Sequence, residues 1–288
     1  MKLLTLKLSL ILALVSFGFS QARAQQANPV PKLNRVVWIW LENAHYSELI
    51  QQKYIKNLMK FYPSARFTHY TPESSITQAN AMILSAGSDL GITDNLPTRI
   101  FSPTLLDLLE SKNISWKVYA EDYPGACYLG AGTATYKRYR VPFLSLARVQ
   151  SDRYECMKIT GISSYLEDLR FGNQPKLSVV IPNLPHGGVN SQASVVDANL
   201  KTILDPVVTA PDFLSTTTIL ISTLNYKANE PDQRMFGMIF GNGVQDGAVY
   251  LDAVYHQANF LRTLEDGFEL GTLNALDQKA QPIVGFWN

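Results

Sequence analysis

The chain has 288 residues with 25 basic against 24 acidic side chains, a formal net charge of +1. That balance argues against nucleic acid or an anionic membrane surface as the main partner. With 46% hydrophobic and 17% charged residues, no internal repeat and no low-complexity stretch, the composition suits one globular domain of mixed type with a substantial core.

The first element is a targeting signal. Met1–Lys7 carries two lysines, LSLILALVSFGF follows as an apolar core, and Ala22-Arg23-Ala24 offers a small-x-small cleavage site. This pattern predicts a signal peptide over residues 1–24 and an exported domain, periplasmic or secreted, over 25–288. A buried N-terminal helix is the alternative. The apolar run is too short for a bilayer-spanning helix, which takes about 20 residues.

Next comes VVWIWL, residues 36–41, an apolar β-rich run that stops on Glu42 and Asn43. TPESSITQANAMILSAG, residues 71–87, reads as a loop entering a helix near Thr77, where free N–H groups and the helix dipole favour an anion. An ordinary helix cap is the competing reading. SPTLLDLLESKN predicts an amphipathic helix capped by Ser102 with Pro103 in its first turn. ISWKVYAED follows as a strand from Ile114. Arg140 sits in YKRYR, which on its own reads as a solvated basic stretch. LSVVIP (177–182) and TTTILIST (216–223) are further buried strands, and HQANFLRTLEDGFEL is helical by period. Strand and helix alternate in this order, which implies an α/β sandwich with a mostly parallel sheet.

In such folds the working groups gather at the carboxyl ends of the strands. Here those ends carry Glu42-Asn43, Asn183 with His186, and Asn225. Asn225 also suits simple backbone satisfaction, His186 suits a mobile loop, and His45 and His69 read as structural or surface residues. Export places Cys127 and Cys156 where a disulfide persists. The bridge would close a loop of about 30 residues, worth about 3 kcal/mol. Two separate core thiols are the alternative.

Taken together, these stretches resemble the bacterial phosphoesterase family of acid phosphatases and phospholipase C enzymes, relatives of the alkaline-phosphatase fold. VVWIWLENAHYSEL matches the family strand that ends in Glu-Asn, and SITQANAMILSAGS its nucleophile segment. LLDLLESKNISWKVYAEDYPG is the most specific stretch, and LSVVIPNLPHGG, TTTILIST and YHQANFLRTLEDGFELGTLNAL follow in family order. The resemblance implies a three-layer sandwich, helices on both faces of a mostly parallel sheet. It also implies a divalent cation held by the Glu-Asn pair and a later acidic pair, an attacking Ser or Thr, and assisting histidines.

Carried over by position, Glu42, Asn43 and Asn225 fall on metal positions and Thr77 on the nucleophile. Asn80, Arg140, His186 and His256 fall on or beside substrate-binding positions. Ser75 and Arg140 stand where histidines are expected. Gly187, Val189 and Asn190 stand for Asp, His and Asp, and Asn225-Tyr226 for an acidic pair. A hard dication wants anionic oxygens, and only Glu42 supplies formal charge. The resemblance, so degraded, implies a cation held weakly or not at all. The protein would then be a catalytically impaired binder of a phosphorylated small molecule or phospholipid headgroup. The alternatives are an active metal-dependent phosphate-ester hydrolase with an unusual site, in which His186 replaces the missing histidine, and an unrelated activity on the same fold.

Overall fold

A computed structural model describes residues 29–226 and 233–288; the expected signal peptide lies outside the described residues. Eight strands form one sheet: β1 (Arg35–Leu41), β2 (Ser64–Tyr70), β3 (Trp116–Ala120), β4 (Ile159–Gly161), β5 (Leu177–Ile181), β6 (Thr217–Thr223), β7 (Met238–Gly241) and β8 (Ala248–Tyr255). Their spatial order is β4-β3-β5-β1-β6-β7-β2-β8. β1 pairs in parallel with β5 and β6, β3 with β5 and β4, and β2 with β8, whereas β7 runs antiparallel to both β6 and β2.

The three runs read as buried strands are adjacent in the middle of the sheet. β1 shows why their sequences lack polar alternation. Val36, Trp38 and Trp40 face one core, Val37, Ile39 and Leu41 the other, and all six are fully buried. A strand covered on both faces has no solvent side on which to place polar residues.

Three helices help cover the first face. Thr77–Ala86 brings Ala81 and Leu84, Leu105–Ser111 brings three leucines, and Gln257–Gly267 brings Phe260, Leu261 and Leu264. The second face is covered by Lys53–Phe61 and Ala193–Val208, which contribute Ile55, Leu58, Leu200 and Leu204. The result is the expected three-layer α/β sandwich. No helix among the described residues is long and apolar enough to cross a membrane.

Two local readings meet the structure differently. Cys127 and Cys156 form a disulfide with Cα atoms 5.6 Å apart. Ser102, by contrast, is not the cap of the helix that follows. That helix opens at Leu105, and the N–H and hydroxyl of Thr104 donate to the Asp107 carboxylate at 2.8 and 2.9 Å. The acid three residues beyond Thr104 completes a capping box, and this moves the helix start past Ser102 and Pro103.

Candidate functional site

Every strand but β7 points its carboxyl end to one edge of the sheet. In spatial order this edge carries Glu121 after β3, Asn183 beyond β5, Glu42-Asn43 after β1, Asn225 beyond β6, Thr71 after β2 and His256 after β8. Parallel topology alone, acting on polar residues placed just past apolar strands, builds this row.

Thr77 and Asn225 meet directly. The Asn225 side-chain amide donates to the Ser75 carbonyl at 2.9 Å and to the Thr77 hydroxyl at 3.3 Å, while its own carbonyl accepts the Tyr226 N–H at 2.9 Å. Its backbone N–H donates to the Glu42 carbonyl at 2.8 Å, which ties β6 to β1 just past their ends. Thr77 opens its helix with Ile76 as the N-cap and no side-chain cap on Ile76. One free N–H of the first turn, that of Gln78, is taken by Asn95 at 2.9 Å. Asn80 is fully buried, and its side chain both accepts from Ser74 N–H (2.9 Å) and donates to Ser74 C=O (2.7 Å). Its hydrogen bonds are spent shaping the loop that delivers Thr77, so the structure places it as a brace.

Glu42 is 4% exposed and Arg140 2% exposed. This corrects the solvated reading of the YKRYR stretch, since the Arg140 guanidinium lies inside the protein. Its Nε stands 2.7 Å from Glu42 Oε2, and Nη1 donates to the Pro182 carbonyl at 2.5 Å. The Tyr139 hydroxyl donates to Glu42 Oε1 at 3.0 Å. Burial and then the Glu42 charge push that hydroxyl well above the usual phenol range. Asn43 is half-buried, and the N–H groups of Glu42 and Asn43 both donate to the Gly187 carbonyl, at 2.9 and 3.1 Å.

The cation implied by the resemblance can be tested against these donors. Glu42 Oε1 accepts from Tyr139, and Oε2 is in ion-pair contact with Arg140 Nε at 2.7 Å without a hydrogen bond. The Asn225 carbonyl accepts from Tyr226, and its amide turns N–H groups toward Thr77. Among the described residues no group of three or more His, Cys, Asp or Glu is placed to hold a metal ion. A hard dication needs several anionic oxygens free to converge, and this set does not fit one.

The two histidines have hydrogen-bond partners of their own on this edge. His186 turns its Nδ1 to Glu121, 2.8 and 2.9 Å from the two carboxylate oxygens, and its ring lines a shallow cavity with Ser194, Ala198 and Thr202. Among the described residues its hydrogen bonds are to Glu121 and Asn183, and none is to Thr77. His256 caps the Gln257–Gly267 helix, with Nδ1 3.0 Å from the Thr71 carbonyl. Sequence reasoning missed two participants. Glu121 was findable, since it ends β3 on this edge, whereas nothing about Tyr139 marked it as a partner of Glu42. His45 is buried and its Nδ1 lies 2.9 Å from the Ser47 hydroxyl, whereas His69 is exposed.

A family model described as the Phosphoesterase family matches residues 68–224, more than half of the chain. Among curated proteins, the phosphate-repressible acid phosphatase of Penicillium chrysogenum is 23% identical over 222 residues, which is 74% of this chain and 53% of that enzyme. The acid phosphatase of Aspergillus niger is 22% identical over 282 residues, 92% of this chain and 67% of the relative. The chain thus spans about half to two thirds of these relatives' lengths. Both are fungal, so the bacterial branch named from the motifs gains no support from them. Among solved structures, a protein in the alkaline phosphatase superfamily from Vibrio parahaemolyticus superposes with a TM-score of 0.57 at 12% identity, over 89% of this chain and 72% of that one. The phosphonate monoester hydrolase of Agrobacterium radiobacter gives 0.56 at 10% identity, over 86% and 78%. At such identities these likenesses establish the fold, an alkaline-phosphatase-like sandwich.

Proposed function

We propose, from the premise that this chain belongs to the phosphoesterase family, that it is an exported phosphoryl-binding member in which metal-dependent hydrolysis is impaired. Residues 25–288 act as one domain, and the ligand is a phosphorylated small molecule or a phospholipid headgroup. Thr77 occupies the nucleophile position at the start of its helix. The observation that carries the reading is the 3.3 Å contact between the Asn225 amide and the Thr77 hydroxyl. It keeps the family's juxtaposition of strand end and helix start while replacing a charged ligand by a neutral donor.

An amide beside the hydroxyl hydrogen-bonds it but removes no proton, and among the described residues no carboxylate or imidazole hydrogen-bonds Thr77. Its hydroxyl therefore stays a weak nucleophile. What the site keeps is a set of donors suited to phosphoryl oxygens. Besides the start of the Thr77 helix, it has Arg140 Nη2, buried with no hydrogen-bond partner among the described residues. A guanidinium N–H is a directed donor of the kind that suits an oxyanion.

The test has two arms on the purified mature protein. Turnover of an aryl phosphate ester should stay at background with or without added dications, and Thr77→Ala should not change it. Calorimetric titration with inorganic phosphate and with phosphocholine should give saturable binding to the unmodified protein. Ordinary enzyme turnover abolished by Thr77→Ala would overturn impairment, and absence of binding to either probe would overturn the phosphoryl-binding reading.

A further inference from the structure

Glu42 is a carboxylate sealed from water at the centre of the site edge, and an ionised group in that position needs a counter-charge. The chain supplies one itself. Arg140 reaches Glu42 through Nε at 2.7 Å and is anchored on its other side by the Pro182 carbonyl beyond β5. The guanidinium thus bridges the ends of β1 and β5.

Gly187 makes room for it. Its backbone does not lie in the left-handed region, so conformation alone does not call for glycine there. Space does. A Cβ on Gly187 would lie 2.4 Å from Arg140 Nη2, 3.2 Å from its Cζ and 3.1 Å from the Asn183 carbonyl. Any side chain at 187 would displace the guanidinium from its present position. Tyr139, the residue before Arg140, supplies the remaining donor to Glu42. Two departures from the family pattern that looked independent in the sequence, Arg140 and Gly187, are therefore halves of one arrangement.

We propose that Arg140 is the resident cation of this site: a guanidinium fixed by Glu42, Tyr139 and the space at Gly187 that takes the place a dication would need. The inference rests on reading this edge as the phosphoester site. Its chemical consequence is specific. A guanidinium offers one positive charge and directed N–H groups, but it cannot coordinate water and make it acidic as a bound dication does. The pair of Arg140 and Glu42 carries no net charge, so the site offers an anion directed N–H groups but no metal with which to generate a nucleophile. Glu42 is retained because removing it would strand a buried arginine.

The experiment uses the full mature protein without bound ligand. Elemental analysis and melting curves are recorded with EDTA and with Mn²⁺, Zn²⁺ and Ca²⁺ in turn. The expected result is no stoichiometric metal and no shift in melting temperature with any of them. A second measurement is a double-mutant cycle on urea midpoints with Glu42→Gln and Arg140→Met. Each single change should lower the midpoint, and the double variant should lose clearly less than the sum. A stoichiometric dication lost in Glu42→Gln would overturn the proposal, as would an additive cycle. These outcomes are separable from those of the functional reading. Metal-free protein that hydrolyses phosphate esters would sink impairment and leave the resident cation standing. Metal-loaded but inactive protein would do the reverse.

Discussion

Glu265 provides a test of the fold's electrostatics away from the site. Its side chain is fully buried in the Gln257–Gly267 helix, and neither carboxylate oxygen has a hydrogen-bond partner. Beside it lies Asp277, also fully buried, whose carboxylate accepts the N–H groups of Leu273 at 2.5 Å and Ala275 at 2.9 Å. Burial first, and the Asp277 charge second, push Glu265 up from 4.5 to about 9. An acid raised in the folded state makes a contribution that is full below the unfolded value of 4.5 and is eroded as pH rises toward about 9. At pH 7 the erosion spans about 2.5 pH units, on the order of 3 kcal/mol at 1.36 kcal/mol each. Glu265→Gln keeps the shape and removes the ionisation. Urea midpoints measured from pH 4.5 to 9 should fall with pH in the unmodified protein more steeply than in the variant, by that amount at pH 7. Titrating groups remote from Glu265 cancel in the difference. Parallel pH profiles would show that Glu265 is not held neutral and would refute the reasoning.

Gly187→Ala should lower stability by about 1–3 kcal/mol, the range for overpacking a filled interior, with an unchanged denaturant slope; an unaltered urea midpoint would show that Arg140 moves aside freely. Replacing Cys127 and Cys156 together by serine should cost about 3 kcal/mol, since the bridge spans 29 positions of chain, and reductant should lower the unmodified protein's midpoint to that of the variant. Restoring the acidic pair with Asn225→Asp and Tyr226→Glu should not by itself produce tight dication binding, because Arg140 still neutralises Glu42. Adding Arg140→His should be required before calorimetry detects a metal.

The fold was legible because its informative signals are local. Val36–Leu41, Leu177–Ile181 and Thr217–Thr223 are rich in β-branched and apolar residues, carry no charge after Arg35 and are buried along their whole length, the pattern of interior parallel strands covered on both faces. Their central placement follows. β7 and β8 were harder to see. Ala248–Tyr255 is largely exposed at the sheet edge, and four residues of β7 are too few to establish a period. The Ser102 misreading is also local: two hydroxyl residues flank Pro103, and the choice turned on which of them has an acid three residues later.

The site was legible as a place but not as a chemistry. Strand ends identify Glu42 and Asn225 as neighbours at the edge, since β1 and β6 pair and their carboxyl ends come out side by side. What a buried carboxylate is paired with depends on a contact between distant segments. Tyr139 and Arg140 arrive on a 3₁₀ turn, Arg138–Arg140, that no hydrophobic period announces. A position-by-position comparison counts Arg140 and Gly187 as two losses, a histidine and an aspartate gone. In space they are a single exchange, an arginine gained and the volume cleared to hold it. On the resident-cation proposal, Glu42 has a role other than that of a metal ligand. Its carboxylate meets Arg140 Nε on one oxygen and Tyr139 on the other, and the charge of that partner requires the residue to stay acidic.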